Sequence, residues 1–260
     1  MIMGQSLRSR RIRQAIVCMA LCAFATGAKA DTVLIAVAAN FTGAAEAIST
    51  AFHDQTGHDA QITTGSTGKL YAQITEGAPF EVLLSADAKT PEKLEAEGQA
   101  VAGSRFTYAI GGLTLWSVDA GLIGTDVKAA LASDKIRFLA IANPELAPYG
   151  VAAKEALTNL GLWDAVQPKI VLGQNIGQVF AMASTGAADA AFVATSALHG
   201  ADASTGSGLD IPQALFTPIR QDAVLLVKAK DNAAAVAFLE FLKGDTAKGI
   251  ISDFGYDFPE

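Results

Sequence analysis

The chain has 260 residues, 51% of them apolar and 17% charged, and its length suits one large globular domain or two lobes. Nineteen basic residues against 26 acidic ones give a net charge of −7, which argues against nucleic acid, whose partners carry a basic footprint. Both cysteines, Cys18 and Cys22, fall within the first 30 residues, so the rest of the chain can hold neither a disulfide nor a thiolate metal site.

The N-terminal 30 residues read as a secretory signal. Arg8, Arg10, Arg11 and Arg13 precede an apolar run over 15–26, and Ala28-Lys29-Ala30 supplies the small-x-small cleavage pattern, so a mature chain beginning at Asp31 and a periplasmic location are expected. The apolar run is too short to span a bilayer. Removing residues 1–30 takes away five basic residues and no acidic one, leaving 14 against 26, a net charge of −12. Long-range attraction therefore cannot draw in an anion, and any anion site must work through close, oriented neutral donors. His53, His58 and His199 show no metal-ligand spacing.

Along the mature chain, strands and helices alternate. An apolar β-rich run at 33–38 leads to helical spacing at 43–53 (Ala44, Ala47, Ile48, Ala51, Phe52). A short strand at 60–63, a helix at 69–76, a strand at 81–85 and a helix at 91–97 follow, and such alternation means βαβ units around a largely parallel sheet. A longer β-rich stretch at 106–118 interrupts the rhythm. A second series then runs through strand 137–142, helix 151–160, strand 169–172, helix 176–185 and strand 190–193. A second long strand at 223–228 leads to a last helix at 233–243 and an amphipathic tail through Phe254. Two long strands bracketing an α/β block are what a chain needs to cross twice between lobes. The expected division is 31–111 plus 224–260 for lobe one and 112–223 for lobe two, with a ligand cleft between them at the carboxyl ends of the strands.

Candidate site residues stand where a strand gives way to a helix. Asn40 follows the first strand, and Ser66 lies in Gly65-Ser66-Thr67-Gly68 ahead of the second helix. A helix start leaves backbone N–H groups without intrahelical partners, which suits either a cap or an anion. Tyr149 belongs to a Pro148-Tyr149-Gly150 turn before a helix, and Gln174-Asn175-Ile176-Gly177 precedes another, offering the N–H groups near Ile176. Gly65–Lys69 is not a phosphate loop, because that motif needs four residues between its glycines and Ser or Thr after the lysine. Lys69 is expected to be solvated. No histidine accompanies a serine in a nucleophile pattern, and Ser204-Thr205-Gly206-Ser207-Gly208 lacks the Gly-x-Ser-x-Gly spacing, so a binding protein is expected rather than an enzyme.

Val37-Ala38-Ala39-Asn40-Phe41, then 65–74 and Gly77-Ala78-Pro79-Phe80-Glu81-Val82-Leu83-Leu84-Ser85-Ala86-Asp87, resemble the periplasmic molybdate-binding protein family of ABC transporters. Asn143-Pro144, the run 148–157 and the ending Phe254-Gly255-Tyr256 are similar too. The resemblance implies a two-lobed, type II periplasmic-binding-protein fold, with two βαβ lobes joined by two crossover strands. It implies a monomer that closes over molybdate or tungstate and delivers it to a membrane permease, with no cofactor and with molybdenum bound only as the oxyanion. Sulfate or another small oxyanion on the same fold is the alternative. The positions that match the family's ligand set are Asn40, Phe41, Ser66, Tyr149 and, by its backbone, Ile176. Two departures stand out: Asn40 where many members have Ser, and Ala194 where some carry a tyrosine. The expectation that follows is a Tyr149 phenol donating to the anion in place of the missing one.

Overall fold

The computed structural model describes residues 31–199 and 205–259; the expected signal segment lies outside them. Two five-stranded sheets repeat one plan. In the first, ordered β2-β1-β3-β10-β4, β1 (Thr32–Ala38) runs parallel to β2 (Asp59–Gly65) and β3 (Val82–Leu84). Strand β10 (Ile219–Leu225) inserts antiparallel between β3 and β4 (Phe106–Gly111). In the second, ordered β7-β6-β8-β5-β9, β6 (Leu139–Ala142) runs parallel to β7 (Ile170–Gly173) and β8 (Ala190–Ala194). Strand β5 (Leu113–Ser117) inserts antiparallel between β8 and β9 (Ser207–Asp210). Lobe one thus receives its antiparallel strand β10 from beyond the return crossing, whereas β5 opens the continuous segment that forms lobe two.

The inner parallel strands β1, β3, β6 and β8 are apolar nearly throughout because helices cover both faces, whereas the edge strand β2 is largely polar and exposed. In β1, Val33, Ile35 and Val37 pack with Ile48 and Phe52 of α1 (Thr42–Thr56) and Phe238 of α8 (Ala233–Lys243). Ala36, facing the other way, meets Leu70 and Ile74 of α2 (Thr67–Thr75) and Leu94 of α3 (Lys89–Ala96). That is the two-residue alternation of a strand in a three-layer sandwich. A single core fills lobe two, where the wholly buried β6 and β8 meet Ala153 and Leu157 of α5 (Pro148–Asn159) and Val179 of α7 (Ile176–Ser184). Pro148 opens α5 at its first position, where its missing N–H costs nothing.

The chain leaves the first sheet at Gly111-Gly112 and re-enters it before residue 223. Ile219 pairs with Gly111 and Ala223 with Leu84, so all of β10 belongs to the first sheet and the return crossing lies between β9 and Ile219. The boundary was misplaced because Arg220, Gln221 and Asp222 interrupt the apolar pattern. Gln221 and Asp222 are buried nonetheless, and Asp222 is held by Arg105 at 2.8 Å and the Thr107 hydroxyl at 2.7 Å. The short helices α4 (Val127–Ala132) and α6 (Trp163–Val166) and strand β9 have no counterpart in the sequence reading. The tail forms α9 (Asp245–Asp253).

Candidate functional site

Strand register gathers the helix starts. Ala38 lies opposite Gly65 at the carboxyl ends of β1 and β2, so the tight 3-10 turn Ala39–Phe41 and the Ser66 cap of α2 begin side by side. In lobe two Ala142 lies opposite Gly173, and Asn143 N–H donates to Gly173 O at 2.8 Å, which brings the starts of α5 and α7 together in the same way. The two pairs meet across the cleft. Gly68 N–H of α2 donates to Leu146 O ahead of α5 at 2.9 Å, and Ser196 Oγ of lobe two donates to Asn40 O at 3.1 Å. A cavity of about 250 Å³ lies between the 39–41 turn and α7, lined by Ala39, Asn40, Ile176, Gly177, Ala194 and Ser196 among others, and by no basic side chain.

Three of these four helix starts lack a side-chain cap. Ala38, Ser66 and Ala147 make none, and Asn175 caps only the N–H of Gln178. The N–H groups of Thr67 and Lys69, of Tyr149, and of Ile176 and Gly177 therefore have no intrahelical acceptor, and the positive ends of the helix dipoles add to them. Together they form a set of neutral donors suited to an oxyanion. Ser66 is buried, and its hydroxyl does not turn back on its own helix. Lys69 is exposed on the first turn of α2.

Asn40 is the most heavily tied of the expected residues. Its Nδ2 donates to Gln221 Oε1 at 2.7 Å and to Tyr256 Oη at 3.1 Å, while its carbonyl accepts from Tyr256 Oη at 2.7 Å. Tyr108 Oη in turn donates to Ser85 O at 3.1 Å and reaches Gln221 Oε1 at 3.3 Å.

Phe41 departs from the expectation of a ligand position. Its ring is wholly buried edge-on to Tyr108 and Tyr256, at 4.8 and 5.2 Å between centroids. As third residue of a 3-10 turn it also places its N–H within the turn. Phe41 anchors the turn, and the N–H groups of Ala39 and Asn40 are the ones left over.

Tyr149 differs too. It is 1% exposed and is not among the residues lining the cavity. Its hydroxyl stands over Gly111, where any β-carbon would collide with it, and faces the side chains of Gln221 and Asn40. Burial pushes this phenol well above its ordinary pKa and the nearby Tyr256 adds to the rise, while Gln221 and Asn40 pull partly the other way. Tyr108 and Tyr256 are likewise raised, chiefly by burial, so all three stay neutral. Asn40 Oδ1, Tyr149 Oη and Gln221 Nε2 are buried without a hydrogen-bond partner among the described residues. Ser196, Gln221, Tyr108 and Tyr256 were not foreseen as site residues. Only the Phe254-Gly255-Tyr256 ending carried any signal.

Two lobes with two crossings, and uncapped helix starts gathered between them, are the architecture of a receptor that closes over a small solute. The chain belongs to the family of bacterial extracellular solute-binding proteins, whose model matches residues 33–257. It is 48% identical over 233 residues to the molybdate-binding protein ModA of Azotobacter vinelandii, covering 89% of this chain and 92% of that one. It is 47% identical to the ModA of Rhodobacter capsulatus, covering 88% and 89%. The solved periplasmic molybdate-binding protein of Azotobacter vinelandii superposes with a TM-score of 0.84 at 43% identity, over 88% of this chain and all of the other. The fold is accordingly the two-lobed type II periplasmic-binding-protein fold.

Proposed function

We propose that this protein captures molybdate, and tungstate with it, in the periplasm after removal of residues 1–30, and delivers the oxyanion as a monomer to the membrane permease of an ABC importer. It performs no chemistry on its cargo and uses no cofactor. The observation that carries the reading is the set of helix starts meeting between the lobes, three of them without a side-chain cap, beside a cavity lined by no basic side chain among the described residues, in a chain nearly half identical to two molybdate-binding proteins. The proposed donors are the N–H groups of Ala39 and Asn40, Ser66 with the first turn of α2, the Tyr149 N–H, and the N–H groups of Ile176 and Gly177. Phe41 contributes by fixing the turn.

Magnitudes are consistent with neutral donors alone. Charge-assisted hydrogen bonds contribute roughly 1.5–3 kcal/mol each. Six or seven of them give roughly 10–20 kcal/mol before the cost of closure, and nanomolar binding needs about 12 kcal/mol. A fully ionised dianion suits a site built of donors, whereas a protonated phosphate would need an acceptor.

Titration of the mature protein with molybdate, tungstate, sulfate and phosphate, followed by calorimetry and thermal melting, tests this. Micromolar molybdate or tungstate is expected to raise the melting temperature through ligand linkage, with little change from sulfate at the same concentration. An equal shift with sulfate would overturn the molybdate assignment in favour of a general oxyanion receptor.

A further inference from the structure

The three buried polar atoms without partners are chemically complementary. Gln221 Nε2 can only donate, Asn40 Oδ1 can only accept, and Tyr149 Oη can do both. They also lie together. A β-carbon built on Gly111 would meet Tyr149 Oη and would come within 2.9 Å of Gln221 Nε2, so both atoms crowd the same glycine. The Asn40 amide is joined to Gln221 through the 2.7 Å bond from its Nδ2. Because Tyr256 Oη gives its proton to Asn40 O, its 3.1 Å contact with the amide is accepted from Nδ2, which leaves Oδ1 as the end that needs a donor.

The members come from opposite lobes. Asn40, Gln221, Tyr108 and Tyr256 belong to lobe one, whereas Tyr149 is on the first turn of α5 in lobe two. We propose that Tyr149 is a positioning residue whose hydroxyl, unpartnered in this structure, clasps the lobes when they tighten on each other, accepting from Gln221 Nε2 and donating to Asn40 Oδ1. The phenol then acts on the anion through Asn40, holding the amide and with it the 39–41 turn in place, while the Tyr149 N–H remains free for the ligand. Opening the lobes withdraws the phenol and gives Gln221 and Asn40 back to water. Ser196, donating to Asn40 O from the same lobe as Tyr149, ties the turn from its other side.

This deepens the anion-binding reading and rests on it, but its first test uses no anion. One dye on each lobe reports the balance of open and closed forms of the empty protein by energy transfer. Tyr149→Phe keeps the ring and removes only the hydroxyl, and is expected to shift that balance toward open by roughly threefold to tenfold, the range of one net hydrogen bond. Molybdate release should accelerate by a similar factor, with association nearly unchanged. In a Gln221→Met background the same substitution should add little, because the relay is already broken. An unchanged open–closed balance in empty Tyr149→Phe would overturn the clasp, and so would additive losses in the double variant. If Gln221→Met does not fold, the measurement on empty Tyr149→Phe decides alone. Loss of molybdate binding by the parent protein would instead refute the function and leave the lobe measurement standing.

Discussion

Helices α4 and α8 begin away from the cleft and are closed by their own side chains: Asp126 Oδ1 accepts from the N–H groups of Lys128 and Ala129 at 2.7 and 3.2 Å, and Asn232 Oδ1 from those of Ala234 and Ala235 at 2.9 and 3.4 Å. The 39–41 turn, α2 and α5 begin at the cleft and have no such cap, although Ser66 is among the residue types that cap best. Helix α9 also opens uncapped at Gly244, but there the backbone is exposed and water serves. At the cleft, where Ser66 and Tyr149 are buried, a helix start without a cap is costly unless a ligand completes it. Side-chain capping is therefore withheld at three of the four helix starts gathered at the cleft, and at the fourth Asn175 takes only the N–H of Gln178, leaving those of Ile176 and Gly177 for an anion.

The harshest way to break this comparison is Asn40→Asp, which puts a carboxylate beside the proposed dianion in a closed cavity. Like charges so placed cost several kcal/mol, so molybdate affinity by calorimetry should fall by about a thousandfold or more. Retention of affinity would show that the anion does not sit at the 39–41 turn. The comparison sharpens with a matched pair. Ser66→Ala should weaken molybdate roughly ten- to a hundredfold, the effect of one charge-assisted donor, and barely move the melting temperature of the empty protein. Asp126→Ala should do the converse, costing about 1 kcal/mol of stability with affinity intact. Equal destabilisation by the two would mean that Ser66 is an ordinary cap. Lys69→Ala should have the smallest effect, less than about tenfold in affinity, or 1.4 kcal/mol; a larger loss would point to direct charge pairing on the first turn of α2.

The parts of this site made of backbone were legible beforehand, and the parts made of side-chain traffic were not. A strand ending in small residues before helical spacing marks a helix start, so Asn40, Ser66 and Ile176 could be singled out from local pattern. Pro148-Tyr149-Gly150 announced a turn, but turn chemistry fixes φ and ψ and says nothing about where a phenol goes. Gln221 was beyond reach. It stands between Arg220 and Asp222 in what reads as an interrupted strand, and its partner Asn40 is 181 positions away. The same interruption hid the start of β10 and moved the lobe boundary. Helices as short as α4 and α6 span too few turns to show a period.

The bond from Gly68 N–H to Leu146 O joins the lobes main chain to main chain. At Gly68 even a β-carbon would stand 3.1 Å from that carbonyl oxygen, so the two backbones are in close contact there. Such a contact works as a mechanical stop. It sets the jaw width from the peptide skeleton itself, and no rotamer on either side can adjust it. A tetrahedral ion of the right diameter touches both jaws at the stop, whereas a smaller one reaches only one of them. If the cargo is molybdate as proposed, such a gauge is expected to disfavour sulfate through a rigid distance, without any group that repels it.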